Sequence, residues 1–266
     1  MRARRTVLAV VVCLLAAVQL DAQTVSTSSA SSASTQAAAA LNNALAALSH
    51  SAVVTDVIIS GTAEWITGSD NETGTVTYRA LSAASRMDLN LSNGARTEIR
   101  STDANGLSGS WIGSDGVSHP FAYHNLFTDT GLFPLFMLGN FNSSTATVLT
   151  YLGVETHDGA TVIHLSASQR PTKSSKIALE QHLSQVDIYL DPSTNLPLAY
   201  VYNAHPDDNA LADIPVEIRY SNYQTVSGLQ VPFHVQRFIN NNLQLDLQFQ
   251  SASVNTGITA TQISAQ

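Results

Sequence analysis

Hydrophobic and polar residues alternate along most of the chain, and the alternation is clearest in the stretch Ile214–Val254. Within Leu243–Phe249 every second residue is leucine or phenylalanine, and glutamine or aspartate stands between them. A period of two places successive side chains on opposite faces of a β-strand, whereas a helix would scatter the leucines around its circumference. Turn-forming triplets at 226–228 and 240–242 divide the stretch into three segments. The pattern predicts a meander of three antiparallel strands, each with one apolar and one solvated face.

Earlier stretches alternate in the same way. They include Val53–Trp65, Arg86–Leu91, Ala146–Val154, Thr161–Ala167 and Val186–Leu190. Asn93-Gly94 is a strong hairpin signal. In the stretch that begins at Ala146, the inward positions are assigned to Val148, Leu152 and Val154. No strand–helix–strand unit occurs, so the chain is predicted to be mainly β (α+β), with about 10–11 antiparallel strands.

Two apolar segments do not alternate. Gly131–Leu138 is dense in large apolar residues and too short to span a bilayer, so it is predicted to be a buried helix or a lid packed on the apolar face of the sheet. In Ala37–Leu48, the residues Leu41, Leu45 and Leu48 recur at helical spacing among alanines. This segment is predicted to form one amphipathic helix that leads into the first strand.

The N-terminus has the pattern of a secretory signal peptide. Three arginines precede an uncharged apolar run, Val7–Val18, and Ala22 supplies a small residue for cleavage. We therefore predict a signal peptide at 1–22, a Ser/Ala-rich flexible linker at 23–40 and one domain at 41–266, exported to the periplasm or secreted. The alternative is an uncleaved N-terminal anchor.

Composition excludes several function classes. Cys13 lies within the predicted signal peptide, so the mature chain would have neither disulfides nor thiol chemistry. Removing residues 1–22 eliminates three arginines and one aspartate, and the formal charge changes from −8 to −10. An acidic chain without a basic stripe argues against nucleic-acid partners and against docking on anionic membranes. The mature chain is predicted not to span a membrane.

No catalytic or metal-binding motif emerges from spacing. The eight histidines are scattered, and none occurs in an HExxH pattern. The segment His205-Pro206-Asp207-Asp208 could hold a cation or could simply be a polar loop. Gly106–Ser110 lacks the final glycine of a nucleophile elbow. The chain is therefore interpreted as a protein without catalytic residues, metal ligands or cofactors, and not as an enzyme.

The order of several C-terminal motifs resembles that of a known family. These motifs are Asp191–Pro197, then Tyr220 with Tyr223, then Gly228, Pro232 and Val254-Asn255. Together with the signal peptide and the interrupted antiparallel sheet, they resemble the periplasmic lipoprotein-carrier (LolA-like) superfamily over about Leu41 to Gly257.

The resemblance implies a fold and a site. Members fold as an open β half-barrel, with an N-terminal helix and a helical lid over a concave face that receives acyl chains or other lipids. In this chain Gly131–Leu138 would be the lid, and Arg79 would contact it and hold it shut. The inward apolar residues could form an ordinary core, but a large curled sheet with little to fill it favours a ligand cavity. The residues assigned to ligand binding are Val57, Ile59, Trp65, Met87, Leu89, Trp111, Leu132, Phe133, Phe136, Met137, Ile218, Tyr220, Phe233, Val235, Leu245, Leu247 and Phe249.

The leading hypothesis is a non-catalytic exported carrier that holds a hydrophobic small molecule, lipid or lipoprotein acyl chain in this cavity. The alternative is a structural or protein-interaction module of the cell envelope, with the concave face packed shut and an envelope protein as its partner.

Overall fold

A computed structural model describes residues 22–103, 106–170 and 176–264. Its strands are β1 (Asp56–Thr67), β2 (Asp70–Leu81), β3 (Ala84–Leu91), β4 (Gly94–Asp103), β5 (Gly106–Ile112), β6 (Ser118–Pro120), β7 (Thr147–His157), β8 (Ala160–Gln169), β9 (Val186–Leu190), β10 (Pro197–Ala204), β11 (Ile214–Val226), β12 (Leu229–Ile239) and β13 (Asn242–Val254). The helices are α1 (Ala22–Ser49), a 3₁₀ helix (Tyr123–Phe127), α2 (Pro134–Ser143), α3 (Ile177–Ser184) and α4 (Ala260–Ser264). The predicted signal peptide falls almost entirely on residues 1–21, which lie outside the described ranges.

The described strands form one antiparallel sheet of thirteen strands in the order β6-β5-β4-β3-β2-β1-β13-β12-β11-β10-β9-β8-β7. Neighbouring strands in the sheet are consecutive in the chain, except for β1 and β13, whose pairing brings the two ends of the domain together. The edges, β6 and β7, do not pair, so the sheet is an open half-barrel. The chain between these edges contains the 3₁₀ helix and α2.

The predicted C-terminal meander is confirmed as β11, β12 and β13, with turns at the two predicted triplets. The sheet has more strands than predicted, partly because β6 is only three residues long and carries no alternation of its own.

The inward face predicted for β7 is wrong. Leu152 and Val154 are 53% and 58% exposed, whereas Leu149 and Tyr151 pack against the core. Apolar residues occur on both faces of this strand, and a β-bulge between Tyr151 and Gly153 shifts its register, so alternation alone does not decide which face is buried.

Helix α1 begins at Ala22 rather than Ala37, so the segment assigned to a flexible linker is helical. Its alanines favour helix, and a helix that is already anchored by packing extends at little cost. One stripe is buried and contributes to the main core, namely Ala37, Ala40, Leu41, Ala44 and Leu48. The helix packs on β7, β12 and α2. The division into signal peptide, linker and domain stays a prediction.

The apolar segment 131–138 enters α2, as predicted for a buried helix. Pro134 begins the helix, and Phe133, Met137 and Leu138 are each 2% exposed. Gly131 has φ +98°, and a Cβ there would lie 2.7 Å from the hydroxyl of Tyr78, so only glycine fits this approach. Together α1 and α2 fill much of the concave face. No helix in the described part of the chain has both the length and the hydropathy needed to cross a membrane.

Candidate binding cavity at one end of the concave face

A cavity of about 460 Å³ opens on the inner face of the sheet. Its lining comes from β1, β4, β5, β10–β13 and the segment 121–129, and none of the described residues that line it belongs to α1 or α2. The apolar part of the lining consists of Trp65, Trp111, Ile112, Phe121, Ala204, Val216 and Ile239. This part of the concave face is therefore not covered by α1 or α2.

The floor of the cavity is a network of buried ion pairs. Arg237 donates two hydrogen bonds to Glu98, from Nη1 to Oε2 at 3.0 Å and from Nη2 to Oε1 at 2.8 Å. Arg100 bonds to Glu98 at 3.1 Å and to both carboxylate oxygens of Asp129 at 2.8 and 2.5 Å. Glu98, Arg100 and Arg237 are each less than a tenth exposed. Two guanidinium groups are thus matched by two carboxylates.

The network keeps its members charged. Burial by itself raises the pKa of Glu98, but the guanidinium groups of Arg237 and Arg100 outweigh it and lower that pKa to about 2. Burial opposes the charged forms of Arg100 and Arg237, yet the neighbouring carboxylates raise the pKa of both. At neutral pH the floor therefore carries fixed charges of both signs that are already paired.

The arginines also hold the aromatic walls in place. The guanidinium carbons of Arg96 and Arg237 lie 5.1 and 5.5 Å from the ring centre of Trp65, and that of Arg100 lies 5.1 Å from the ring of Phe121. These distances are within the range of cation–π attraction. The orientation of the Trp65 and Phe121 rings therefore depends on Arg237 and Arg100, which belong to the charged floor.

The 3₁₀ helix closes one side of the cavity and is tied to β10. The side chain of Asn125 donates to the backbone oxygen of His205 at 2.9 Å and accepts from its N–H at 2.8 Å. The hydroxyl of Tyr200 donates to the backbone oxygen of Thr128 at 2.9 Å. These contacts position Asn125 and Asp129 in the lining.

Comparison with solved structures identifies the fold. A Vibrio parahaemolyticus domain assigned to outer membrane lipoprotein sorting matches at 12% identity and a TM-score of 0.55, over 87% of this chain and 97% of that one. The chain has a LolA-like fold. A DUF1329 family protein from Desulfovibrio piger matches at 9% identity and a TM-score of 0.56, over 86% and 97%. A LolA superfamily protein from Nitrosomonas europaea matches at 10% identity and a TM-score of 0.47, with the same coverage. The sequence matches no protein-family model and no curated protein.

Within this LolA-like fold, only part of the predicted ligand-binding set lies at the cavity. Trp65 and Trp111 line it. Phe136 is partly buried and packs on the core. The other fourteen are buried in the main core, at 7% exposure or less: Val57, Ile59, Met87, Leu89, Leu132, Phe133, Met137, Ile218, Tyr220, Phe233, Val235, Leu245, Leu247 and Phe249. Alternation identifies the inner face of a LolA-like sheet, but not which part of it the protein's own helices cover.

The prediction that Arg79 contacts the lid is not supported by the structure. Its guanidinium pairs with Asp88 at 2.6 Å and is about a third exposed, on the face of the sheet opposite to the core. Its neighbour Tyr78 points inward, and the Tyr78 hydroxyl accepts a hydrogen bond from the backbone N–H of Leu132 at 2.9 Å. Adjacent strand residues face opposite sides, so the lid contact belongs to Tyr78 and not to Arg79.

The charged floor was not predicted from the sequence. Arg96, Glu98 and Arg100 alternate on β4, opposite the inward residues Leu89, Met87 and Ser85 of β3. Three charged residues at inward positions of one strand were the signal that could have revealed it.

Among the described residues, one group of side chains could hold a metal ion. It consists of His182, His205 and Asp213, whose ligand atoms lie within 4.8 Å of one another. From the sequence, His205 could hold a cation together with the nearby Asp207 and Asp208, but the structure brings it to residues more distant in the chain instead.

The low pKa of Glu98 predicts a pH-dependent contribution to stability. Because folding lowers this pKa from its usual 4.5 to about 2, the contribution is fully present above pH 4.5 and is lost as the pH falls towards 2. We expect the difference in unfolding free energy between the wild type and Glu98→Gln to shrink over this interval. Urea titrations at several pH values measure it. If the difference in unfolding free energy between the wild type and Glu98→Gln stayed constant from pH 6 to about 2, Glu98 would not have a lowered pKa in the folded protein.

Proposed function

We propose that this protein is an exported, non-catalytic binding protein that holds the hydrophobic part of a lipid or acyl-bearing ligand in the cavity described above. The observation that supports the proposal is a preformed opening of about 460 Å³ on the concave face, with two tryptophans, a phenylalanine and aliphatic side chains in its wall. Pockets of about 300–1,000 Å³ with mostly apolar walls are typical of small-molecule sites.

The cavity is large enough to receive a short stretch of acyl chain. It is about three times the ~150 Å³ that suffices for benzene in an engineered apolar cavity. Each methylene removed from water contributes about 0.8 kcal/mol, so a short stretch of acyl chain offsets part of the cost of association. The floor charges are already paired, so the ligand need not carry a net charge.

The comparisons support the same proposal. The Vibrio parahaemolyticus domain with which the chain shares its fold is assigned to outer membrane lipoprotein sorting. Such a role requires export, which agrees with the signal peptide predicted at 1–22. We therefore propose the periplasm as the compartment and a lipid or lipoprotein as the partner.

The two tryptophans of the chain provide a direct test, because both line the cavity. A fluorescent fatty-acid probe should change the tryptophan emission on binding, and native mass spectrometry should detect lipid on the purified protein. Ala204→Phe fills part of the cavity and displaces about two methylenes of ligand, so the probe should bind roughly tenfold more weakly.

Ala95→Phe is the matched control, because Ala95 is exposed on β4 and absent from the lining. It should leave probe binding unchanged. Absence of bound lipid, together with a tryptophan emission that does not respond to the probe, would overturn the proposal.

The second candidate is a structural or protein-interaction module of the envelope. The packing of α1 and α2 over much of the concave face favours it, because a face covered by the protein's own helices leaves less surface for a ligand. In that case a defined envelope protein should bind the wild type and Ala204→Phe equally well, and no lipid should compete with it.

A further inference from the structure

Three potential metal ligands from separate elements meet beside the 3₁₀ helix. His182 lies in the last turn of α3, His205 directly follows β10, and Asp213 directly precedes β11. The two Nε2 atoms are 3.3 Å apart, and the Asp213 Oδ1 atom lies 3.1 Å from that of His182 and 3.2 Å from that of His205. The three ligand atoms thus form a nearly equilateral triangle.

This triangle has the dimensions of one face of a metal tetrahedron. Zinc binds imidazole nitrogen at about 2.0–2.1 Å and carboxylate oxygen at about 2.0–2.2 Å, which separates two tetrahedral ligands by roughly 3.3–3.4 Å. The observed separations approach this value without rearrangement of the backbone. We propose that His182, His205 and Asp213 bind a divalent transition-metal ion of the zinc type, with the fourth position left for water or an external ligand.

A shared ion is an alternative to pairwise hydrogen bonds within the triangle. The Nε2 atoms of His182 and His205 lie 3.3 Å apart, and they lie 3.1 and 3.2 Å from the same Asp213 oxygen, so each nitrogen has two partners but can donate only one proton. One cation at the centre can interact with the lone pairs of all three atoms at once. The same geometry therefore suits a bound ion, and metal titration distinguishes the two arrangements.

The ligand types select the class of ion. Two imidazoles and one carboxylate suit zinc and its neighbours, whereas calcium and magnesium prefer sites made of oxygen alone. The side chain of His205 is 1% exposed, but those of His182 and Asp213 are 34% and 43% exposed. One ligand is thus fixed in the protein interior, and the other two leave a route for the ion from solvent.

Another histidine with two acidic neighbours shows what such a site requires. His164 contacts Glu155 through Nδ1 at 3.1 Å and Asp187 through Nε2 at 3.0 Å. The carboxylates of Glu155 and Asp187 contact different nitrogens on opposite sides of the ring, so the three side chains cannot converge on one ion. His164 is therefore a matched control, because it is a largely buried histidine that is paired with acids but lacks chelating geometry.

Metal binding would stabilise the position of the 3₁₀ helix that closes one side of the cavity. It would join α3 to both ends of the loop between β10 and β11, and the backbone C=O and N–H of His205 both hydrogen-bond to the side chain of Asn125 in the 3₁₀ helix. The inference goes beyond the proposed function, because it needs no lipid in the cavity.

The test uses tag-free, full-length mature protein stripped with EDTA. Competition with a chromophoric chelator should give one zinc ion per chain, and Co²⁺ should produce the intense visible bands of a four-coordinate site. His182→Ala and Asp213→Ala should each weaken zinc binding at least ~100-fold. Removing a residue that only hydrogen-bonds to a metal ligand costs ~100-fold at most, so a larger loss indicates a direct ligand. His164→Ala should bind zinc like the wild type.

Thermal unfolding provides an independent readout. Zinc should raise the midpoint temperature of unfolding for the wild type and for His164→Ala, but not for His182→Ala or Asp213→Ala. These two ligands are chosen because they are partly exposed, so the variants should still fold; His205→Ala would confound binding with folding. Zinc affinity that is equal in the wild type and both ligand variants, or binding below one ion per chain, would overturn the proposal.

Discussion

Glu98→Ala should lower the free energy of unfolding by about 3–5 kcal/mol, because it removes one partner from a buried ion network. The Glu98 carboxylate accepts two hydrogen bonds from Arg237 and one from Arg100. In the variant Arg100 keeps Asp129, but Arg237 keeps the neutral side chain of Gln244 and the ring of Trp65, neither of which carries a negative charge. A guanidinium group about nine-tenths removed from solvent would then lack an anion. Urea unfolding at neutral pH measures the loss.

Glu64→Ala is the matched control for this variant. Glu64 lies on β1, and its carboxylate accepts an exposed hydrogen bond from Asn71 at 3.0 Å. Removing it should change the free energy of unfolding by less than about 1 kcal/mol. A second comparison replaces both partners, Glu98→Leu with Arg237→Met, and should recover much of the loss, since the unpaired charge disappears. If Glu98→Ala and Glu64→Ala cost the same, the network does not stabilise the fold.

The architecture could be predicted from sequence because it depends on local repetition. Strict alternation in Leu243–Phe249 and the turn residues at 226–228 and 240–242 specify strands, faces and connections within a few residues of one another. The prediction was wrong where the signal is ambiguous, as in β7, whose apolar residues occupy both faces around a bulge. The start of α1 was also misplaced, because low sequence complexity was interpreted as disorder although alanine favours helix.

The candidate site was less predictable because it depends on contacts between distant segments. Glu98 and Arg237 are 139 residues apart, and alternation does not reveal that they meet. Neither does it reveal that Val57 and Phe249 are buried in the main core while Trp65 stays at an opening. The metal ligands are contributed by a helix and by the two ends of a loop, without a regular spacing.

Leu41→Ala should also destabilise the protein strongly, by about 2–5 kcal/mol. The Leu41 side chain is fully buried in the stripe of α1 that contributes to the main core, so truncation removes apolar contacts and leaves a void. Leu211→Ala is the matched control, because Leu211 is 74% exposed and the same atoms are deleted. Its effect should lie within about 0.5 kcal/mol of zero. Equal losses for the two variants would mean that α1 does not contribute to the core.

The same variant distinguishes the cavity from the core as the place where a hydrophobic ligand binds. Leu41 is absent from the cavity lining, whereas Ala204 belongs to it. In conditions where Leu41→Ala is still folded, we expect it to bind the fluorescent fatty-acid probe as tightly as the wild type, while Ala204→Phe binds roughly tenfold more weakly. If Leu41→Ala changed the affinity for the probe and Ala204→Phe did not, the ligand would bind beneath α1, because enlarging the space there would then control affinity. Since Leu41 and Ala204 belong to different parts of the concave face, the two affinities separate a binding site at the opening from one that requires the helix to move.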